Sequence, residues 1–181
     1  MNVLYIGWPN KVRVAAGTGD EKVQVSIVGG GGSIQKTGAG SYIASVTTPT
    51  NDCKINVTVD GKTSSFNYRV RTIPQPVASV GGVPSNENMG AGQFRAQQGV
   101  SAAIKDFPLD LKYTVTQFTI TMDDENGDIK EAACTGNTWS PAALAIVRGA
   151  TPGRMVTIDN IRATGPDGKN NKIPGLVYYI K

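Results

Sequence analysis

Apolar and polar residues alternate along the first 73 residues in seven short runs. In the last run Phe66, Tyr68 and Val70 share one face, while Ser65 and Asn67 point to the other. Because successive side chains of a strand point to opposite faces, such runs predict strands with one buried face. The spacing of the turns between them is typical of a β-sandwich with an immunoglobulin-like layout. The runs are NVLYI, KVRVA, KVQVSIV, SIQKT, SYIASV, CKINVTV and SSFNYRV.

Glycine-containing segments between the runs predict the turns. Asp60-Gly61 and Asn126-Gly127 each suit a type I′ hairpin turn, because both central residues of that turn need a positive φ. The four glycines at 29–32 lie between two predicted strands and are interpreted as a flexible hairpin tip.

Residues 74–181 continue the strand pattern with longer elements. The runs KYTVTQFTITM, DIKEAAC, RMVTIDNIRAT and IPGLVYYI predict strands. The inward parity changes between Val115 and Phe118, and one extra residue near 116–117, a β-bulge, accounts for the change. The stretch FRAQQGVSAAIKDF fits a helix and a strand equally well. We expect one helical turn near 94–98 and a strand after it.

The stretch RVRTIPQPVASVGG at 69–82 predicts a joint between two domains, 1–73 and 74–181. Pro74 and Pro76 cannot donate to a β-ladder, and proline biases the residue before it to extended backbone. A short segment of this kind is stiff. The predicted fold is therefore all-β, with two consecutive immunoglobulin-like β-sandwich domains joined by a short proline-containing linker. A loop within one larger sandwich is the alternative.

Composition excludes several kinds of chemistry. The chain has no histidine, which excludes Ser–His–Asp catalysis and His-containing zinc sites. Cys53 shares its parity with the inward-facing Ile55 and Val57, so we expect a buried free thiol and not a disulfide with Cys134. We predict that the chain is not an enzyme, with no catalytic residue, no cofactor, no metal site and no small-molecule substrate.

The net charge of +4 lies in the first half of the chain. Residues 1–73 carry eight Lys and Arg against four Asp and Glu, and residues 74–181 carry ten against ten. The excess is spread as single charges along predicted strands, which is typical of a solvated face. Nucleic-acid binding needs clustered cations beside base-reading groups, so no nucleic-acid partner is expected.

Three local patterns suggest binding sites but do not meet their requirements. GGGGSIQKT has Gln35 where a phosphate-binding loop needs glycine before the lysine. DDENGD gathers carboxylates at a predicted hairpin tip, but not in the register of a calcium loop. Trp8 and Trp139 lie beside predicted loops, where they could anchor an interface or pack over a sandwich end. By elimination, a structural or interaction role is favoured.

Several stretches in register resemble the C-terminal periplasmic region of the GldM (PorM) family of gliding-motility and type IX secretion proteins. They are MNVLYIG, IPQPVASVGG after a strand ending in YRV, AQQGVSAAIKDFPLDLKYTVTQFTI, GNTWS and IDNIRATGPDGKNNKIP. The resemblance covers nearly the whole chain. This chain departs from the family in WPNKV after YIG and in a Gly- and Asn-rich run before AQQGV.

The resemblance implies a mechanical function. Family members are periplasmic stalks of homodimers, anchored in the inner membrane by an N-terminal helix that is absent here. They are expected to act as part of a molecular motor, carrying conformational energy from an inner-membrane motor partner to ring proteins at the outer membrane. This chain then corresponds to the penultimate and C-terminal stalk domains. The residues that match the inter-domain motif and are expected to set the angle are Ile73, Pro74, Pro76, Val77, Gly81 and Gly82.

A generic cell-surface or carbohydrate-binding β-sandwich module is the alternative function. It predicts an exposed aromatic platform built from Trp8, Trp139 or Tyr178. The stalk hypothesis instead predicts self-association and protein–protein interaction, with the proline-containing joint as the important element.

Overall fold

The computed structural model describes residues 2–15, 17 and 22–181. Contacts between residues divide the chain into a first unit that ends at Pro74 and a second unit that begins at Gln75. Both units are built mainly of β-strands, and each has its own buried cluster of side chains. The predicted all-β fold is confirmed.

The first unit contains the seven predicted strands in two sheets. One sheet has the order β1-β7-β6-β3 and the other β2-β5-β4. β1 pairs with β7 in parallel, so the first and last strands of the unit are neighbours. The strands are β1 (Val3–Tyr5), β2 (Asn10–Arg13), β3 (Val23–Val28), β4 (Ser33–Gly38), β5 (Ser41–Ser45), β6 (Thr50–Val59) and β7 (Lys62–Arg71).

The β6–β7 hairpin has the turn that the sequence predicts. Asp60 and Gly61 have φ values of 49° and 78°, as a type I′ turn requires. Burial falls along β7 toward this turn: Val70 is buried, Tyr68 is half-buried and Phe66 is 49% exposed. The shared face of these three side chains is therefore predicted correctly, but its burial is not uniform.

The glycine run at 29–32 is not a hairpin tip, because it carries the chain from β3 in one sheet to β4 in the other. Gly29, Gly30 and Gly31 have φ values of 87°, 63° and 58°, which other residues rarely adopt. The Gly30 carbonyl accepts hydrogen bonds from the backbone N–H groups of Thr47 and Thr48 at 2.9 and 3.0 Å. The run is therefore a hydrogen-bonded crossover.

One polar residue holds the start of the first unit together. Asn10 is 7% exposed, and its Oδ1 accepts a hydrogen bond from the Tyr5 backbone N–H at 2.7 Å. Its Nδ2 donates to the carbonyl oxygens of Tyr5, Trp8 and Ala44. These bonds fix the β1–β2 connection against β5. The asparagine lies in WPNKV, one of the two stretches where the sequence departs from the pattern that it otherwise resembles.

The second unit combines a large sheet with two helices. Its main sheet has the order β12-β11-β13-β15-β9, with β14 paired to β13, and β8 pairs with β10 in a two-stranded sheet. The elements are β8 (Val77–Ser79), β9 (Glu87–Met89), α1 (Ala91–Arg95), β10 (Ser101–Ala103), β11 (Thr114–Asp123), β12 (Ile129–Thr135), α2 (Pro141–Arg148), β13 (Met155–Thr164), β14 (Asn170–Lys172) and β15 (Leu176–Ile180).

Two sequence predictions about β11 have different outcomes. The β-bulge is confirmed, because the register with β13 shifts on both sides of Gln117. The type I′ turn at 126–127 is wrong: Gly127 has a φ of 82°, but Asn126 is not in the positive-φ region. The loop is longer, and the Asp124 side chain closes it by accepting hydrogen bonds from the backbone N–H groups of Asn126 and Asp128.

The helices differ from expectation. The helical turn predicted near 94–98 is α1, which begins at Ala91, and a strand follows as predicted. The sequence analysis did not predict α2. Ser140 caps it by accepting a hydrogen bond from the Ala143 N–H, and Pro141 occupies its first turn. The helix packs on β11 and β12 with Ala143, Ile146 and Val147 buried.

Candidate functional site

The connection between the units runs over residues 72–76 without secondary structure. It lies between the end of β7 at Arg71 and the start of β8 at Val77. In this segment Ile73 is half-buried, Pro74 is exposed and Pro76 is buried. The side chain of Val77 is 58% exposed. Because two of the five connecting residues are prolines, these two have a fixed φ and no backbone N–H.

On the side of the first unit, the last strand residue is held firmly. The Arg71 backbone carbonyl accepts a hydrogen bond from the Ile6 N–H at 3.0 Å. Its guanidinium donates to the carbonyl oxygens of Thr50 and Val70, and to Asn51 Oδ1 at 2.6 Å. The connection therefore starts from an anchored residue.

On the side of the second unit, Gly81 and Gly82 form a tight turn after β8. Their φ values are 58° and 77°, and the Val83 N–H donates to the Val80 carbonyl at 3.0 Å. Positive φ at both positions makes this a type I′ turn. A Cβ on Gly81 would lie 2.6 Å from the side-chain oxygen of Gln97. These two glycines thus lie inside the second unit, beyond the connecting residues themselves.

The hydroxyl group of Tyr178 fixes this turn. It accepts a hydrogen bond from the Val80 N–H at 3.0 Å and donates one to the Val83 carbonyl at 2.7 Å. The ring is fully buried and contacts Phe94. Burial raises the pKa of Tyr178, against the lowering effect of the bond from Val80. Sequence reasoning treated this residue only as a surface aromatic, because a partner 98 positions away leaves no local signal.

A second pair of bonds holds the chain after the turn. The Val177 N–H donates to Ser85 Oγ at 2.9 Å, and the Asn86 N–H donates to the Val177 carbonyl at 2.8 Å. Asn86 has a φ of 65°, a conformation that asparagine tolerates better than most residues. Residues 77–89 are therefore tied to β15 at several points.

The two tryptophans have different surroundings. Trp139 is 6% exposed, packs against Phe94 and Phe118, and donates from Nε1 to the Gln97 carbonyl at 2.8 Å. Trp139 is therefore a core residue: of the two roles considered for it, it packs within the unit and is not an exposed anchor for an interface. Trp8 is half-buried. With Trp139 and Tyr178 both buried, two of the three aromatic residues expected in a carbohydrate-binding platform lie in the core.

Cys53 and Cys134 are both free and buried, as expected for Cys53, and burial, with the charge of Asp52, raises the Cys53 pKa. In residues 2–15, 17 and 22–181, no group of three or more metal-ligating side chains lies together. In the same residues, no helix has the length and apolar character needed to cross a membrane.

Comparisons with known proteins place the chain in a family. A family model described as the GldM third domain matches residues 1–71, and one described as the GldM C-terminal domain matches residues 74–181. A comparison with curated proteins gives no match.

A solved structure of InvD from Yersinia pseudotuberculosis is 10% identical, with a TM-score of 0.24, over 86% of this chain and 57% of that one. At that TM-score the likeness supports no conclusion. The two family models, however, cover both units of the chain. The chain belongs to the GldM family, a component of the gliding-motility and type IX secretion apparatus whose C-terminal domains are periplasmic.

Proposed function

We propose that this chain is a mechanical stalk segment that transmits conformational energy through the periplasm, from an inner-membrane motor partner to ring proteins at the outer membrane. The observation that carries the proposal is the short connection between two consecutive family domains. Only residues 72–76 separate the last strand of one unit from the first strand of the next. A connection of this length with two prolines transmits force or torque better than a flexible tether does.

The anchoring of both ends supports the same role. On one side the Arg71 guanidinium bonds to Thr50 and Asn51. On the other side the Tyr178 hydroxyl holds the Gly81-Gly82 turn. A stiff linker passes on a movement only if its ends are fixed, so these bonds support the same role as the prolines do. We propose Ile73, Pro74, Pro76 and Val77 as the residues that set the direction of one domain relative to the next.

An insertion at the joint of the full-length protein tests the proposal. A short Gly-Ser insertion after Pro74 is expected to abolish secretion and gliding, while the protein still accumulates in the periplasm. The matched control places the same insertion in the exposed turn at 166–168, where activity should persist. Normal secretion with the flexible joint would overturn the mechanical role.

The joint is also testable in the isolated chain. Pro74→Gly alters an exposed residue, so both domains should remain folded while the distribution of overall dimensions broadens in small-angle scattering. Adding Pro76→Gly should broaden it further, and thermal melting then shows whether the loss of a buried proline has also destabilised the second unit. An unchanged scattering profile for both variants would contradict a stiff joint.

Self-association is part of the proposal, since the stalk is expected to be a homodimer. Light scattering at micromolar concentration should give about twice the monomer mass, because membership of the family implies self-association. A strict monomer at all concentrations would contradict this part of the proposal.

A further inference from the structure

A groove in the first unit runs along the inner face of the β6–β7 hairpin. It has a volume of about 670 Å³. Ile55 pairs with Phe66 across the two strands, so their side chains share one face of the sheet. Ile55 is 1% exposed, but Phe66 is 49% exposed. The apolar face is therefore covered at β6 and open at β7. Its other apolar members that line the groove are Val57, Val59 and Tyr68.

The open side of the groove is a free sheet edge. Among the described strands, β7 pairs with β6 on one side, and on the other side with β1 at residues 69–71 alone. The Arg69 N–H donates to the Asn2 carbonyl at 3.0 Å. Because backbone groups alternate in direction along a strand, the N–H groups of Asn67 and Ser65 point to this same side. Such groups are available to an added strand.

The opposite wall of the groove belongs to the second sheet and is also an edge. Val12, Val14 and Ala15 line it. Among the described strands, β2 pairs with β5 alone and forms one end of its sheet. The groove is thus a gap between the two sheets at their β7 and β2 edges. An extended segment with alternate apolar side chains has the shape to fill such a gap.

The strand β1 leads out of this gap. Leu4 is 2% exposed, and Asn2, which shares its parity, lines the groove. The Asn2 side-chain amide donates to the Asn67 carbonyl at 3.3 Å, so contact with β7 continues beyond the paired residues. A segment that continued β1 upstream in the same register would run along β7 from Asn67 toward Lys62. Its second residue before Asn2 would face Phe66.

The charges at the groove do not favour an ionic ligand. Asp60 and Lys62 line it at the hairpin tip, with opposite signs. Arg13 alternates with the inward-facing Val12 and Val14, so its side chain belongs to the outer face of the second sheet. The described lining therefore has no cluster of like charges that would attract an anionic lipid or an acidic peptide.

We propose that this groove is filled by the segment that precedes β1 in the full-length protein. The segment extends β1 along the free edge of β7 and places alternate apolar side chains against Phe66 and Val57. The family model that matches residues 1–71 is described as a third domain, so in the family another domain and its connecting segment come before β1. The inference deepens the stalk proposal but rests on family membership, and not on the joint at 72–76.

Hydrogen exchange of the full-length protein tests the proposal, with the present chain as the reference. Fragments that cover residues 62–67 should exchange about tenfold more slowly in the full-length protein, because an added strand protects the amides of β7. Fragments that cover β3, at the other end of the same sheet, should exchange equally in both proteins. Equal exchange of residues 62–67 in the two proteins would overturn the proposal.

Variants of the full-length protein make the test specific. Ser65→Pro removes an N–H on the free edge, where proline is tolerated, and should restore the faster exchange of the present chain. Phe66→Ala removes the ring that the segment covers and should speed exchange about threefold or more. Val28→Ala, at a residue of β3 that is 59% exposed, is the matched control and should have no effect. If thermal melting shows that Ser65→Pro unfolds the present chain, Phe66→Ala against Val28→Ala decides the question.

Other occupants of the groove give different results. Protection that persists in a folded Ser65→Pro variant would show that the surface of a domain covers the groove, and would refute an added strand. Protection of residues 62–67 that appears in the present chain as its concentration rises would identify a second copy as the occupant, against the proposal. Pro74→Gly in the full-length protein should leave this protection unchanged, so a failure of the joint and a failure of this proposal are distinguishable.

Discussion

In the second unit 26 described side chains form one buried cluster, whereas the buried cluster of the first unit holds eight. The difference follows from the strand lengths. In the first unit the β6 and β7 strands have ten residues each, but the opposing strands β2, β5 and β4 have four, five and six. Among residues 2–15, 17 and 22–181, the second sheet therefore does not extend over the far part of the β6–β7 hairpin. In the second unit two helices and a two-stranded sheet cover the main sheet.

The uncovered part of the first unit is an open apolar groove. Phe66, Tyr68 and Val57 line it with Arg13 and Lys62 nearby, around a volume of about 670 Å³. An alternating pattern determines which side of a strand is apolar, but not whether another element covers that side. The same kind of sequence thus produces a full core in one unit and a partial core in the other.

The largest expected effect on stability comes from removing a buried phenylalanine of the second unit, compared with an exposed phenylalanine of the first. Phe118→Ala removes a side chain that is 1% exposed and should destabilise the second unit by about 3–5 kcal/mol. Phe66→Ala removes one that is 49% exposed and should cost the first unit less than about 1 kcal/mol. Urea unfolding followed by hydrogen exchange in each unit measures both changes. Equal losses of unfolding free energy in the two variants would contradict the difference between the two cores.

In the first unit, the buried side chain of Asn10 should contribute more to stability than the half-exposed ring of Phe66 does. Asn10→Ala removes four hydrogen bonds and leaves buried backbone groups unpaired, so we expect a loss of about 2–3 kcal/mol confined to the first unit. Asn10→Asp retains an acceptor for the Tyr5 N–H but loses the donors, and should be destabilised as well. Unfolding curves of the two variants check this, and a loss smaller than that of Phe66→Ala would contradict it.

The second unit should depend on one hydroxyl group for the turn beside the joint. Tyr178→Phe leaves the Val80 N–H and the Val83 carbonyl without their partner, and a loss of about 1–3 kcal/mol is expected. The neighbouring Tyr179 is 47% exposed, so Tyr179→Phe is a matched control with an effect within about 0.5 kcal/mol. Hydrogen exchange of the Val80 amide should increase only in the first variant. Equal exchange in both would disprove the assigned role.

The smallest effect is a pH dependence. The pKa of Tyr178 is raised in the folded state. The stability that its hydroxyl group contributes is therefore fully present below the unfolded pKa of about 10, and it is lost as pH rises through the folded pKa. The difference in unfolding free energy between the parent chain and Tyr178→Phe should therefore be constant up to about pH 10 and shrink above it. A difference that grows with alkalinity would have the wrong sign.

Local features of the fold could be predicted because their signals are local. The strands of the first unit, the Asp60-Gly61 turn and the bulge near Gln117 each follow from residues within a few positions of one another. The helix α2 was not predicted, although Ser140 and Pro141 are typical of a helix start, because Trp139 beside them was interpreted as a loop residue. A capping serine followed by proline and a run of alanines was a sufficient signal.

The features that matter most for the joint and for the first unit depend on residues that are distant in sequence. Tyr178 reaches the Gly81-Gly82 turn from the far end of the second unit, and Asn10 bonds to Ala44 on the neighbouring strand, 34 positions along the chain. No periodicity in one segment can indicate such arrangements, since they arise from tertiary packing.

The bond between Tyr178 and the turn after β8 has a consequence for the order in which the molecule is made. A chain that leaves the ribosome and crosses the inner membrane from its N-terminus presents Gly81 and Gly82 long before Tyr178. Until β15 arrives, the turn has no clamp, and β9 lacks the strand with which it pairs in parallel. The first unit is similar, because β1 waits for β7. Each unit therefore completes its sheet only when its last strand has been added, and a chain that stops before β15 lacks the hydroxyl group that holds the Gly81-Gly82 turn.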